Sequence, residues 1–211
     1  GSPIHSIEFS PNSRQILTLS EDGTAKVWTC TPPPSNGLPM LSNAHTDSVY
    51  QMDIDLAGDY LLTGSYDSTA RIWDLQTQLQ VTKYVQHESE IVAVDLDVDG
   101  SRAATLDADG HIHVWDVATV NTLFDIDPES KEFGTEIGGS GGLRGEVLSF
   151  PAPLSTGIFS PDGAQLVAFH KDSMKVFDAR TGDVKLVLED ANKSGWPVFS
   201  YDSSLVAILE L

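Results

Sequence analysis

The chain has 211 residues, 40% of them hydrophobic and 20% charged, which is enough to bury a substantial core in an ordinary globular composition. Twelve Lys and Arg stand against 31 Asp and Glu, a formal net charge of −19 that leaves no basic stripe for phosphates and so excludes nucleic acid as a direct partner. No apolar run approaches the roughly 20 residues of a membrane helix, and the lone Cys30 points to a reducing, intracellular setting, cytoplasmic or nuclear.

Along the chain the hydrophobic period is two, the period of strands. The first unit opens on Ile7 and Phe9, with Glu8 facing the other way, and turns at Pro11-Asn12-Ser13. A second strand runs from Ile16 to Ser20, and SEDGTAKVW ends at Trp28. The second unit repeats the pattern with Met52 and Ile54, a turn at Ala57-Gly58-Asp59, a strand from Leu61 to Ser65, SYDSTARIW ending at Trp73, and a fourth strand from Val81 to Val85. The third has Val94 and Leu96, Asp99-Gly100, Ala103 to Asp107, DADGHIHVW ending at Trp115, and Thr122 to Ile126. A fainter fourth unit has Pro161-Asp162-Gly163, Leu166 to Phe169 and HKDSMKVF ending at Phe177. A fifth opens at Trp196-Pro197-Val198-Phe199-Ser200.

The tryptophans are 45 and 42 residues apart, a period that marks a stacked β-architecture built from one sheet per repeat. It divides the chain into units over about 3–42, 43–85, 86–127 and 148–190, an insertion over about 128–147, and the start of a fifth unit over about 194–211. These phrases resemble the WD-repeat (WD40) family of β-propellers, and the resemblance covers essentially the whole chain. It implies an all-β fold of four-stranded antiparallel blades, about four and a half of them, as part of a seven-bladed ring. The remaining blades are then expected from the rest of the protein or from another subunit.

The resemblance also implies a buried network joining a His before the first strand, a Ser or Thr on the second, an Asp in the next turn and the Trp. The second unit has all four, His45, Ser65, Asp67 and Trp73. The third has His87, Asp109 and Trp115, with Asp107 where Ser is usual. The first has Ser20, Asp22 and Trp28. In the fourth, Phe150 stands at the His position and Phe177 replaces the Trp. Physically, a buried indole N–H needs an acceptor and a buried carboxylate needs donors.

Other constellations carry less. Asp95, Asp97 and Asp99 followed by Gly100 resemble the start of a calcium loop, but Leu106 stands where its Glu should be. The register makes them a strand and its turn, with alternate carboxylates facing solvent. Asp107, Asp109, His111 and His113 share one face of a hairpin at a spacing that suits a metal, but the network claims Asp109. Gly138 to Gly142 fits a nucleophile elbow in letters only, lacking the strand and helix that motif needs. Asn192-Lys193-Ser194 matches a glycosylation acceptor by spacing alone. Ser10-Pro11 and Ser160-Pro161 read as turn starts. No metal or cofactor is expected.

The reading is a non-catalytic protein-interaction scaffold, a subunit or domain of a larger assembly. Partner contacts are expected on the rim of the narrow face, at Glu21, Tyr66, Ser48, Tyr50, Glu90 and Val92, with Tyr66 and Tyr50 as anchors. From Val85 to Ser130 there are eleven carboxylates and one basic residue, Arg102. That acidity serves solubility or docks a basic peptide or domain. The 128–147 segment is a tolerated flexible insertion or a partner-contacting arm. A sensor or regulatory module of a multidomain protein is the alternative. A propeller enzyme would need a repeated set of channel-facing polar residues, and none assembles from the sequence.

Overall fold

The computed structural model describes residues 3–10, 14–20, 22, 24–29, 40–41, 45–126, 159–170, 173–188 and 196–209. The Cys30, Phe150, Gly138–Gly142, Asn192 and 128–147 expectations lie outside these residues. All regular structure among them is strand. The first sheet orders β1 (Ile4–Phe9), β2 (Gln15–Ser20), β3 (Ala25–Thr29) and β4 (Met40–Leu41). The second orders β5 (Val49–Ile54), β6 (Tyr60–Ser65), β7 (Ala70–Asp74) and β8 (Gln80–Tyr84). The third has β9 (Ile91–Leu96), β10 (Arg102–Asp107), β11 (Ile112–Asp116) and β12 (Thr122–Ile126). β13 (Gln165–His170), β14 (Ser173–Asp178) and β15 (Val184–Leu188) make a fourth sheet, and β16 (Trp196–Phe199) pairs with β17 (Val206–Leu209). Every pairing is an antiparallel meander of sequence neighbours, and in the second and third sheets short turns do all the connecting.

Those turns are built by one repeated position. Ser10, Asp55, Asp97, Ser160 and Ser200 end or follow the first strand of their units. Each accepts, through its side-chain oxygen, a backbone N–H from the start of the next strand: Gln15 at 3.0 Å, Tyr60 at 2.7 Å, Arg102 at 2.9 Å, Gln165 at 2.9 Å and Leu205 at 2.9 Å. The side chain closes the turn from within, which is why Ser10, Asp55, Asp97 and Ser160 are buried although polar. This is the structural use of Ser10 and Ser160, the serines of the two Ser-Pro pairs.

The core lies between successive sheets. Leu17, Leu19, Ala25 and Val27 of the first sheet meet Met52, Ile54, Leu61 and Trp73 of the second. Leu62, Ala70, Ile72 and Tyr84 of the second meet Val94, Leu96, Ala103 and Trp115 of the third. Ala104, Leu106, Ile112 and Val114 of the third meet Phe159, Leu166 and Phe177. Each sheet therefore offers one face backward and one forward, and nearly every strand position is apolar on one side or the other. Gly64 on β6 is a point of closest approach: a Cβ there would lie 2.5 Å from a Val94 methyl and 2.7 Å from an Ile91 methyl. Ile7 and Phe9, which correspond to the buried Met52 and Ile54, are 66% and 62% exposed, because among the described residues no sheet packs on that face.

Polar side chains bridge the seams as well. Gln51 accepts the Val94 N–H at 2.9 Å, Asp53 accepts the Leu96 N–H at 2.7 Å, and Asp95 accepts the Phe159 N–H. The expectation that Asp95 and Asp97 face solvent is therefore wrong. Asp95 points across the seam, and Asp97 is 2% exposed in its turn. The first strands run along the inner edges of the sheets, where neighbouring backbones come close enough for a carboxylate to reach the next one. Burial pushes the Asp53 and Asp95 carboxyls upward, and their mutual proximity pushes Asp95 further.

Arg102 completes the third seam. Its Nε donates to Asp97 at 2.8 Å, its two terminal nitrogens donate to the carbonyls of Ala179 at 2.6 Å and Gly163 at 2.8 Å, and its guanidinium lies 5.7 Å from the centre of the Phe159 ring. The one basic residue in the acidic stretch is thus a clamp between the third and fourth sheets.

Candidate functional site

In the second and third units the loop before the first strand and the turn after the second strand meet at one end of the sheet, where Tyr66 N donates to the Ser48 carbonyl and Ala108 N to that of Glu90. In the second unit they are joined by a continuous set of hydrogen bonds. The Trp73 indole donates to Thr63 Oγ1 at 3.0 Å, and Thr63 Oγ1 lies 2.8 Å from His45 Nε2. His45 Nδ1 is 3.1 Å from both carboxylate oxygens of Asp67. Asp67 also accepts from Thr46 N at 2.9 Å, Thr69 N at 3.0 Å and Thr69 Oγ1 at 2.6 Å. The simplest proton order has Thr63 donating to Nε2 and Nδ1–H donating to Asp67, which keeps the imidazole neutral. Burial pushes the His45 ring downward against the pull of Asp67. Burial raises Asp67, but the hydrogen bonds from His45, Thr69 and Thr46 outweigh it and hold this carboxyl well below the usual range. Ser65 serves the turn instead, donating to the Asp47 carbonyl at 3.2 Å and accepting from Asp67 N at 3.1 Å.

The third unit departs from the expected pattern. His87 Nδ1 is 2.9 Å from Asp107, not Asp109, and Nε2 is 2.7 Å from Thr105 Oγ1. Asp107 stands where the second unit has Ser65, and its longer side chain reaches the ring directly. Its other oxygen accepts Asp109 N at 3.1 Å and His111 N at 2.9 Å, so one carboxylate closes the turn and holds the histidine. Asp109 is left exposed. His113, expected to share a face with these residues, stacks on His87 at 4.1 Å and lies 2.9 Å from the Tyr84 hydroxyl. Among the described residues no group of His, Cys, Asp and Glu has the arrangement of a metal site.

In the first unit Trp28 donates to Thr18 at 3.0 Å, Ser20 donates to the Pro3 carbonyl at 3.1 Å, and the exposed Asp22 accepts from Thr24. Thr18 and Thr63 are acceptors the sequence reading missed, although a Thr two residues before the Ser recurs in both units. The fourth unit replaces that Thr with Ala168 and the Trp with Phe177, so acceptor and donor vanish together.

Of the six rim residues, the structure brings four together. Tyr50 and Tyr66 stack, with ring centres 5.2 Å apart and planes 20° from parallel. The Tyr66 backbone N–H donates to the Ser48 carbonyl at 3.0 Å, and Tyr66 is 39% exposed. Partial burial, Tyr50, Glu90 and Asp47 all oppose ionisation of Tyr66 and push its phenol upward. Val92 packs instead against the core between the third and fourth sheets. Glu21 lies outside the described residues.

The family model for the WD domain, G-beta repeat, matches residues 1–29, 38–74 and 78–116, each match closing just after Trp28, Trp73 or Trp115. The chain belongs to the WD-repeat family. The sheets are the blades, and the matched repeats are offset from them by one strand: 38–74 takes in β4 of the first sheet with β5 to β7 of the second, and 78–116 takes in β8 of the second with β9 to β11 of the third. The chain is 26% identical to mouse Coronin-7 over 99% of its own length and 22% of that protein. It is also 26% identical to THO complex subunit 3 of Arabidopsis thaliana, over 97% of its length and 72% of the relative. Mouse Pre-mRNA-processing factor 19 is 26% identical over 54% of this chain and 22% of its own. One of these relatives is named as a subunit of a complex, and the chain spans about a fifth of the length of the other two.

Proposed function

We propose that this WD-repeat chain is a non-catalytic interaction platform that docks a protein partner on the blade rim around Tyr66, Tyr50, Ser48 and Glu90. The observation that carries the reading is the Tyr50–Tyr66 stack, two aromatic rings held at a loop junction with one of them open to solvent. Exposed rigid aromatics dominate interface energetics, whereas the histidines, threonines and carboxylates behind them are committed to holding loops and seams. The likeness to a THO complex subunit and a pre-mRNA-processing factor supports service within an assembly inside the cell. The single Cys30 fits that setting. The exposed Ile7–Phe9 face matches a further blade, supplied by the same protein or by another subunit, as a seven-bladed ring would require.

A photo-crosslinking phenylalanine at position 66, in a Cys30-containing full chain, tests the reading. A partner crosslinked from position 66 and lost on Tyr50→Ala, with the chain still folded by circular dichroism, is the expected result. A Tyr66→Ala chain that binds the same partner unchanged overturns it.

A second reading, a regulatory propeller within a multidomain protein, is favoured by the small shares of Coronin-7 and of mouse Jouberin that the chain spans, 22% and 17%. It uses the same rim.

A further inference from the structure

The rim around the tyrosine stack is uniform in charge. The two loops before the first strands, 45–48 and 87–90, and the two turns 66–69 and 108–111 contain no Lys or Arg. They contain Asp47, Asp67, Glu88, Glu90 and Asp109, of which Asp67 is engaged by His45. Asp47 and Glu90 are exposed near Tyr66, Asp47 from its own blade, where its carbonyl accepts from Ser65, and Glu90 from the next, beside the Ile91 that abuts Gly64. An electron-rich ring face set among carboxylates attracts a cation and repels an acidic segment.

Building on the docking face argued above, we propose that the Tyr50–Tyr66 stack, on the acidic rim that carries Asp47 and Glu90, is the seat of an arginine side chain from a basic segment of the partner protein. A guanidinium is planar, so it lies flat on the open face of Tyr66 while its edge N–H groups donate to Glu90 or Asp47. An ammonium makes only a point contact there and keeps more of its water. The arrangement inside the protein already shows this chemistry once: Arg102 pairs its Nε with Asp97 and sits over Phe159. That internal arginine is used up by the seam, and the rim offers the same pair of partners, ring and carboxylate, to an arginine from outside.

The seat reads only the charged, planar side chain, so small probes suffice. The full chain carrying ring-labelled tyrosine is titrated by NMR with Nα-acetyl-arginine methylamide, and in parallel with the lysine and citrulline analogues. The Tyr50 and Tyr66 ring signals are expected to move with the arginine compound, less with lysine and not with citrulline, which is planar but neutral. Glu90→Gln is expected to weaken the arginine effect about two- to fivefold, the range for an exposed cation–π and carboxylate contact, and raising salt is expected to weaken it further. Tyr66→Leu is expected to abolish it. Equal shifts from citrulline, or arginine shifts unchanged in Glu90→Gln and Tyr66→Leu together, overturn the arginine seat. A partner that crosslinks from position 66 through a segment without arginine also overturns it while leaving the docking face standing. Absence of any crosslink at 66 overturns the docking face itself.

Discussion

His87 Nδ1 lies 2.9 Å from Asp107, a residue two positions earlier in its repeat than Asp67, which holds His45 at 3.1 Å. The two histidines do the same work with carboxylates launched from different points. In the second blade the acid sits in the turn and a serine closes the turn beneath it. In the third, a single aspartate at the serine position does both.

Substitution separates the two third-blade acids. Asp107→Ala strands the His87 N–H and the turn amides of Asp109 and His111, and is expected to cost about 1–3 kcal/mol. Asp109→Ala removes an exposed side chain and is expected to change stability by less than about 0.5 kcal/mol. Urea unfolding followed by tryptophan fluorescence measures both. Equal losses would restore Asp109 to the network.

The tryptophans are not equivalent either. Trp73 donates to Thr63, whereas the fully buried Trp115 N–H has no acceptor among the described residues and the ring is held by stacking on Tyr84 at 4.6 Å. Trp73→Phe loses a satisfied hydrogen bond and exposes Thr63 to an unmet demand, a cost of about 1–2 kcal/mol beyond the lost packing. Trp115→Phe removes a donor that was already unmatched, so it is expected to be the milder change. The fourth blade, with Phe177 over Ala168, shows the end point of that exchange.

Acid sensitivity follows from His113. Burial, reinforced by His87, holds this ring down to about 4 from an ordinary 6.5. The fold accommodates the neutral ring, so the His113 contribution is complete above pH 6.5 and is lost as pH falls toward 4. His45 is displaced in the same direction. Asp67 and Asp107, displaced downward, keep their contribution until pH falls below the carboxylate range. Asp53 and Asp95, displaced upward, act in the opposite sense and penalise the fold as pH rises through that range. Comparison with His113→Gln isolates the histidine: the wild-type urea midpoint is expected to fall relative to the variant between pH 6.5 and 4. A constant difference across that window would refute the assignment.

Gln78, Val120 and Gly182 occupy the same left-handed position in the turn before the outer strand, at φ of 60°, 62° and 78°. Only the glycine is unstrained there. Gln78→Gly is expected to raise stability by about 0.5–1 kcal/mol, read as a higher thermal midpoint. Val120→Gly is expected to gain less or lose, because Val120 packs on the core between the second and third blades.

Much of this was legible in the sequence. The tryptophan period located the blades, the alternation located the strands, and the Asp- and Gly-rich turns fell where the chain reverses. The exchange of Asp109 for Asp107 was not legible, because aligning repeats letter by letter assigns a role to a column, while reach along a side chain decides which carboxylate arrives. The inward-facing Asp95 was missed for a related reason. Period two says that Asp95 opposes Val94, but the inner edge of a blade has a neighbour on both faces, so both alternating sets are buried. Thr18 and Thr63 did leave a signal, a threonine two residues ahead of the serine that disappears in the one repeat without tryptophan. The tyrosine stack joins a first strand to a turn 16 residues away, a proximity that only the folded sheet creates.

The bonds across the seams have one more property. Gln51 to Val94 and Asp53 to Leu96 each span 43 residues, one more than the 42 that separate aligned positions of the second and third units, and they link equivalent strands of adjacent blades. An acceptor of this kind is indifferent to which blade follows it, since it reads a backbone N–H that every repeat presents at the same place. Asp95 makes the same link to Phe159 across 64 residues, so chain added between blades leaves the seam bonded. Only a gain or loss inside a strand would put the wrong amide opposite the carboxylate, and loops in a lineage of such chains are free to lengthen while the strands are not.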